Sequence, residues 1–330
     1  MTMSSLLKQK PMISRRRGWI ILGIILGVCV GWYTVFAVGV YRFHWQGAMT
    51  QKIIRWAPLP AATIGWQPLS YQTYMHQRAA VQHYTAYLAN TTGGVYQSQT
   101  ANDISATTIT KMIRLAASER AMRDLGIAVT QADVHQAYST QLLQNGDEQQ
   151  VISTIRELYQ WSPQEFQRYV IRPAIIRDKL QVKLSFDEQL SSAAKKQADT
   201  VYGYVQEGKE SFAELAKKYS EDVYGAAGGD LGFVKQGEQA KEIDDAAFTM
   251  ELNTVSSIIH TKYGYHIIKP LERKTEDGVE QVHLLQMTFL APQVDTYLNQ
   301  QMKNMSIRVF VPELTWDTET QRATARTAGE

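Results

Sequence analysis

The sequence predicts an α+β fold: one N-terminal transmembrane helix, an all-helical module, and an antiparallel sheet packed with helices. Three observations predict it. Residues 18–40 hold no charged side chain, and this run slightly exceeds the roughly 20 residues that cross a bilayer core. Across 70–185, apolar side chains recur at three-and-four spacing, the period of helices buried along one face. From 186 onward short alternating runs appear between helices, which indicates a compact mixed domain.

The chain of 330 residues is 44% hydrophobic and 20% charged, which gives room for two modest cores. Its formal charge is only +2, with basic residues dispersed except at Arg15, Arg16 and Arg17. No nucleic-acid face is announced. The single cysteine, Cys29, lies inside the apolar run, so disulfides cannot staple the outer domains. Val28 stands where a lipoprotein signal has a small residue, and Cys29 reads as a small membrane-buried side chain.

The arginines hold residues 1–17 on the cytoplasmic side, and Trp19 at one end with Tyr41 and Trp45 at the other suit the two interfaces. Everything after about residue 45 then lies outside the cytoplasm. The other reading, a cleaved signal peptide, has a shorter apolar core and a small-residue cleavage site.

Residues 41–69 are rich in proline and weak in helical periodicity, so they read as a linker ending in a short extended segment. Ser70 caps a helix that "TTGG" stops. Ile109, Met112, Ile113 and Ala116 mark the next, closed by Gly126. Thr130 and Asp133 form a capping box for a helix bearing Val134, Tyr138 and Leu142, and Ile152, Ile155 and Tyr159 mark a shorter one. "WSPQEF" opens the last helix of the module with Ser162 as cap, Pro163 in the first turn and Glu165 at the third position. Pro173 removes one backbone donor and bends that helix without ending it.

In the domain expected over 186–290, Ala194, Ala198, Val201 and Val205 mark a helix ended by Gly208, and Ser211 with Glu214 caps another. "GGDLGFV", the helical "EIDDAAF" and "TVSSIIHT" follow. Then comes "YGYHIIKPLERKTEDGVEQVHLLQMTF", two alternating runs around an Asp-Gly pair. This is a hairpin signal, with a loop expected to be longer than a two-residue turn. Residues 291–314 read as a short amphipathic helix and an extended segment packing back, and 315–330 as a polar, disordered tail.

The ordered series "FAELAKKYS", "GGDLGF", "AAF", "VSSII" and "YGYHIIK", within 211–272, resembles the parvulin-type peptidyl-prolyl cis-trans isomerases. The preceding helices, with "GIAVTQADV" and "YQWSPQEFQRYV", are similar to the chaperone module of PrsA- and SurA-type foldases. The resemblance implies a four-stranded antiparallel sheet. It also shows a departure. The opening family strand, with its His-Ile-Leu-like motif, is missing at "LSSAAKKQ", and "QVHLLQMTF" at 281–289 looks like that strand moved downstream of the last one.

The resemblance then places His266 and His283 together at the base of the site, with Asp222 near the substrate carbonyl. Leu231, Gln239, Ile243 and Phe248 fall at or near its pocket wall. Other readings are two core histidines bonded to one another or to a backbone group, a solvated loop for Asp222 and plain core packing for Phe248. Gln239 and Ile243 stand where the family usually has methionine and phenylalanine, so weak activity is expected.

No cofactor or metal is expected. "AAGGDLG" lacks the Gly-Lys-Ser/Thr ending of a phosphate loop, and His76 and His83 have no carboxylate or cysteine companion at ligand spacing. The implied partners are unfolded or proline-containing exported polypeptides, with the membrane held through the single N-terminal helix. The implied function is a membrane-anchored extracytoplasmic foldase; a non-catalytic holdase with a degenerate domain is the alternative.

Overall fold

The computed structural model describes every residue except 1–14, 44, 46, 55–58, 92–98 and 327–330. Most of the expected cytoplasmic tail, the Gly-Gly helix stop and the last four residues therefore lie outside the described residues. The chain forms two compact units, one of residues 1–113 with 306–330 and one of residues 114–305.

In the first unit, helix α1 (Arg15–Phe43) contains one stretch, Gly23–Phe43, long and apolar enough to cross a membrane. Cys29 is exposed on it, as are Ile24, Leu26 and Val30. The segment expected to be a linker is instead ordered in part: helix α2 (Ala48–Ile54) is followed by strands β1 (Pro60–Ile64) and β2 (Gln67–Ser70), an antiparallel pair. Leu59, Ala61, Ala62 and Ile64 are buried there. This buried apolar run, short and flanked by prolines, is what a linker would lack. Ser70 receives the Thr73 N–H at 3.4 Å and opens α3 (Tyr71–Thr91). Helix α4 (Ala101–Asp124) follows.

The capping signals are realised in the next helices. Thr130 and Asp133 form a reciprocal capping box at α5 (Gln131–Asn145), and Asp147 caps α6 (Glu148–Tyr159). Ser162 and Glu165 do the same at α7 (Pro163–Phe166). The chain then passes through a π turn, Gln167–Ile171, into α8 (Arg172–Phe186). Pro173 explains the turn: its missing N–H removes an i→i−4 bond, and the Arg172 N–H reaches back to the Gln167 carbonyl instead.

Helices α9 (Ser192–Glu207) and α10 (Phe212–Tyr219) precede strand β3 (Asp230–Lys235). Helix α11 (Lys241–Thr249), then β4 (Ile259–Thr261), β5 (Gly264–Glu276) and β6 (Val279–Leu290) complete an antiparallel sheet ordered β3-β6-β5-β4. The downstream strand thus sits at the sheet's centre, between β3 and β5. The hairpin joining β5 to β6 is tighter than expected: Glu276 pairs with Val279 across Asp277 and Gly278 alone. Both have positive φ, 53° and 76°, the requirement of a type I′ turn.

Strand alternation divides the sheet into two faces. Tyr265, Ile267, Met287 and Phe289 pack under α9 and α10 on Ala194, Ala198, Phe212 and Leu215. Ile268 and Leu284 face the other way, with Val234, onto Ile243 and Ala247 of α11.

Helix α12 (Val294–Lys303) ends the second unit. Strand β7 (Ile307–Val309) then pairs with β1 in the first unit. The tail expected to be disordered forms a hairpin of β8 (Leu314–Asp317) and β9 (Arg322–Ala325). It is fastened by Leu314 and Ala323, both buried, and by the Ala323 N–H donating to the Thr110 hydroxyl at 2.9 Å.

Candidate active site

His266 is the centre of the site. It lies on the α11 side of β5, is 3% exposed, and pairs across the ladder with Thr288 of β6. Its Nδ1 lies 3.2 Å from the Thr288 hydroxyl and its Nε2 lies 2.8 Å from the Thr261 hydroxyl. The Thr288 hydroxyl in turn donates to Asp222 Oδ2 at 2.6 Å.

Valence fixes the direction of every proton in this chain. A carboxylate only accepts, so the single Thr288 hydrogen goes to Asp222 and its oxygen must accept from His266. Nδ1 is therefore the protonated nitrogen, and Nε2 accepts from Thr261. The ring is neutral: burial pushes its pKa down to about 4, and the Coulombic pull of the Asp222 carboxylate in the opposite direction does not offset that.

The loop carrying Asp222 is held to β6 at the same residue. Beyond Leu285, which pairs with Asp230, β6 has no β3 partner. Its edge groups find the loop instead, as buried backbone groups must find some partner. The Thr288 N–H donates to the Ser220 hydroxyl at 2.9 Å, and the Thr288 carbonyl accepts the Glu221 N–H at 2.9 Å. An Asx turn, Tyr224 N–H to Asp222 Oδ1 at 3.0 Å, sets the carboxylate's orientation. Gln286 donates to the Thr288 hydroxyl at 3.0 Å.

These groups line a cleft of about 690 Å³. Asp222, His266, Gln286 and Thr288 give it a polar region, and Gln239 and Ile243 also line it. Leu231 and Phe248 do not. Both pack, half-buried, on the core of Val234, Ile243, Ala247, Ile268 and Leu284.

His283 is not in the cleft, and the expected meeting of two imidazoles does not occur. It is five residues from Thr288 on a regular strand, so the pleat turns it to the opposite face. There its Nε2 lies 2.8 Å from Asp230 Oδ1, and its ring is 5.2 Å from that of Phe233. The Gly232 N–H, with His283 second, holds the Asp230 carboxyl below its ordinary range.

Thr261, Thr288 and Gln286 are the site residues that the sequence reading missed. One signal was available. Counting outward from a two-residue Asp-Gly turn puts His266 opposite Phe289, and one extra residue, Leu271, shifts the pairing to Thr288. Neither count reaches His283. Among the described residues, no group of three or more His, Cys, Asp or Glu is placed to hold a metal.

Residues 179–272 match the family model described as "Rotamase: PPIC-type PPIASE domain". The chain carries a parvulin-type isomerase domain. Strand β6, with Thr288, lies outside the matched stretch, in keeping with its place after the last matched strand rather than before the first. The chain is also similar to curated chaperones and foldases. It is 36% identical over 138 residues to "Chaperone SurA" of Legionella pneumophila (strain Lens), covering 41% of this chain and 30% of that one. It is 43% identical over 83 residues to "Foldase protein PrsA" of Bacillus subtilis (strain 168), covering 25% of this chain and 28% of that one. The chain thus spans about a third or less of the length of these relatives. The crystal structure of PrsA from Bacillus subtilis aligns with 72% of this chain and 84% of its own at 17% identity, with a TM-score of 0.22.

Proposed function

We propose that this protein is a membrane-anchored, extracytoplasmic peptidyl-prolyl cis-trans isomerase that assists the folding of exported polypeptides. The observation that carries this reading is the neutral, buried His266 linked through Thr288 to Asp222 within an open cleft.

Rotation about an X–Pro bond faces a barrier of about 18–20 kcal/mol because twisting destroys amide resonance. That resonance places negative charge on the carbonyl oxygen. A carboxylate held near the oxygen disfavours the planar forms relative to the twisted one, where the charge recedes. Asp222 supplies the charge, and Thr288, Gln286 and the Asx turn keep it still. His266 does not transfer a proton in this scheme. Being neutral, it orders the hydroxyls on either side and avoids placing a positive charge that would cancel Asp222. Ile243 offers the proline ring an apolar contact, and Leu231 and Phe248 pack on the same core as Ile243 without lining the cleft.

The anchor is the stretch Gly23–Phe43, with Arg15 to Arg17 on the cytoplasmic side. The helices of 70–185 are proposed as a chaperone-like module that holds unfolded segments, and 186–290 as the isomerase domain. The relatives' printed names, a chaperone and a foldase, favour the same role.

The full-length protein in detergent micelles, mixed with an X–Pro peptide in an NMR exchange assay, is expected to accelerate interconversion, and Asp222→Ala to abolish the effect. An exchange rate equal to the spontaneous one would reject the enzyme. Gln239 in the cleft favours a second reading, since an amide is a poor wall for a proline ring. On that reading the protein is a holdase, which would suppress aggregation of an unfolded client without accelerating the peptide.

A further inference from the structure

Helix α8 precedes the isomerase domain's own helices, yet two of its apolar side chains line the cleft. Val182 is 38% exposed and Phe186 49% exposed, and both face the same space as His266 and Asp222. Such exposure is costly on a helix whose next turns bury Leu180 and Leu184 completely.

The helix is fastened where it meets the cleft. Ser185 Oγ donates to the Thr261 carbonyl at 2.7 Å, Gln181 Nε2 to the Lys262 carbonyl at 3.1 Å, and Lys262 Nζ to Asp178 at 2.7 Å. The Phe186 ring also packs, tilted, against His260 at 4.2 Å, and His260 stacks on Tyr265 at 4.2 Å. Thr261, which Ser185 holds by its carbonyl, is the residue whose hydroxyl holds His266. The two apolar side chains are therefore set in place relative to the imidazole before any peptide arrives, and little entropy is lost in using them.

We propose that Val182 and Phe186 form a subsite for the residue preceding proline and select large apolar side chains there. A cleft of about 690 Å³ accommodates several peptide residues, not one ring. Ala240 and Ile243 line the cleft at α11, and α8 supplies apolar side chains from a second element. Charge points the same way. The two lysines lining the cleft are already paired, Lys241 with Asp245 and Lys262 with Asp178. Asp222, Glu238 and Glu242 line it as well, so an acidic residue before proline is disfavoured.

This inference rests on the isomerase reading, and its test separates the two. Full-length wild-type and Phe186→Ala proteins are compared on Leu-Pro, Ala-Pro and Glu-Pro peptides. Wild type is expected to prefer Leu-Pro to Glu-Pro by about tenfold or more in kcat/KM, and Phe186→Ala to bring the ratio within about twofold, its loss falling mainly on Leu-Pro. Phe186→Leu restores most of the preference. An equal loss on all three peptides would mean that Phe186 only supports the fold, and no wild-type preference would remove the subsite. If wild type accelerates none of them, the isomerase reading fails, and NMR titration with the Leu-Pro and Glu-Pro peptides decides the subsite. Tighter wild-type binding of Leu-Pro that Phe186→Ala erases supports it; equal binding, or none, overturns it.

Discussion

Thr288 stands across the ladder from His266, accepts a hydrogen bond from the ring's Nδ1–H at 3.2 Å, and donates its own O–H to Asp222 at 2.6 Å. One hydroxyl thus serves as acceptor for the imidazole and donor to the carboxylate, and the two cannot be coupled in this way without it. Removing it while keeping its shape is the sharpest test of the network. Thr288→Val is expected to lower kcat/KM by about tenfold or more and to cost roughly 1–3 kcal/mol of stability, because it leaves the buried Nδ1–H unpaired. Urea titration and the peptide assay read the two effects separately. Unchanged activity would show that Asp222 needs no such support.

The imidazole also sets a pH dependence. In the unfolded chain histidine titrates near 6.5; in the fold the His266 pKa is pushed down to about 4 by burial. Between those values the unfolded state binds the extra proton and the folded state does not, so stability rises with pH across that window. Acidification from about pH 6.5 to about pH 4 is expected to remove on the order of 3 kcal/mol, with no further loss from this group below it. Denaturant midpoints for wild type and His266→Gln at pH 7.5 and pH 4.5 measure it. The substitution should flatten the difference, and a slope that survives it would assign the effect elsewhere. Activity, by the same argument, has no inflection near pH 6.5 from this ring.

His283 illustrates how far the sequence was legible. The order of elements, the central place of β6 and the histidine of "YGYHIIK" were readable because periodicity and capping act over a few residues, as at Ser162, Pro163 and Glu165. The register of the hairpin was not, since it was set by an assumed long loop. A histidine attracts a catalytic reading, whereas a strand threonine looks like any other β-former, and the face each one occupies depends on a single bulged residue, Leu271. The hairpin Leu314–Ala325 was missed for a related reason: its fastening to Thr110 spans most of the chain and leaves no local pattern.

From the observed face it follows that His283→Ala has little effect on catalysis. The ring is bonded to Asp230 and lies beside Phe233 on the side away from the cleft, and such a half-exposed pair contributes about 0–1 kcal/mol. Less than a twofold change in kcat/KM is expected, against a large loss for His266→Ala. A comparable loss from both would restore the two-histidine site.

Gly264 tests the backbone that delivers His266. Its φ of +142° is open to glycine and strained for any L side chain, and a Cβ there would fall on the Phe289 carbonyl oxygen and lie 2.7 Å from the Ala291 nitrogen. Both obstacles are backbone of the central strand and its exit, so no rotamer change relieves them. Gly264→Ala is therefore expected to destabilise the protein by more than about 3 kcal/mol, through strain and lost ladder bonds together. Gly278→Ala serves as the comparison: its φ is also positive, at +76°, but nothing lies within 4 Å of the added methyl. It retains the φ penalty alone, roughly 1 kcal/mol. Thermal melts of the two variants give the difference, and equal shifts would mean that strand β6 moves aside at Gly264, which a close-packed sheet face of Tyr265, Ile267, Met287 and Phe289 opposes.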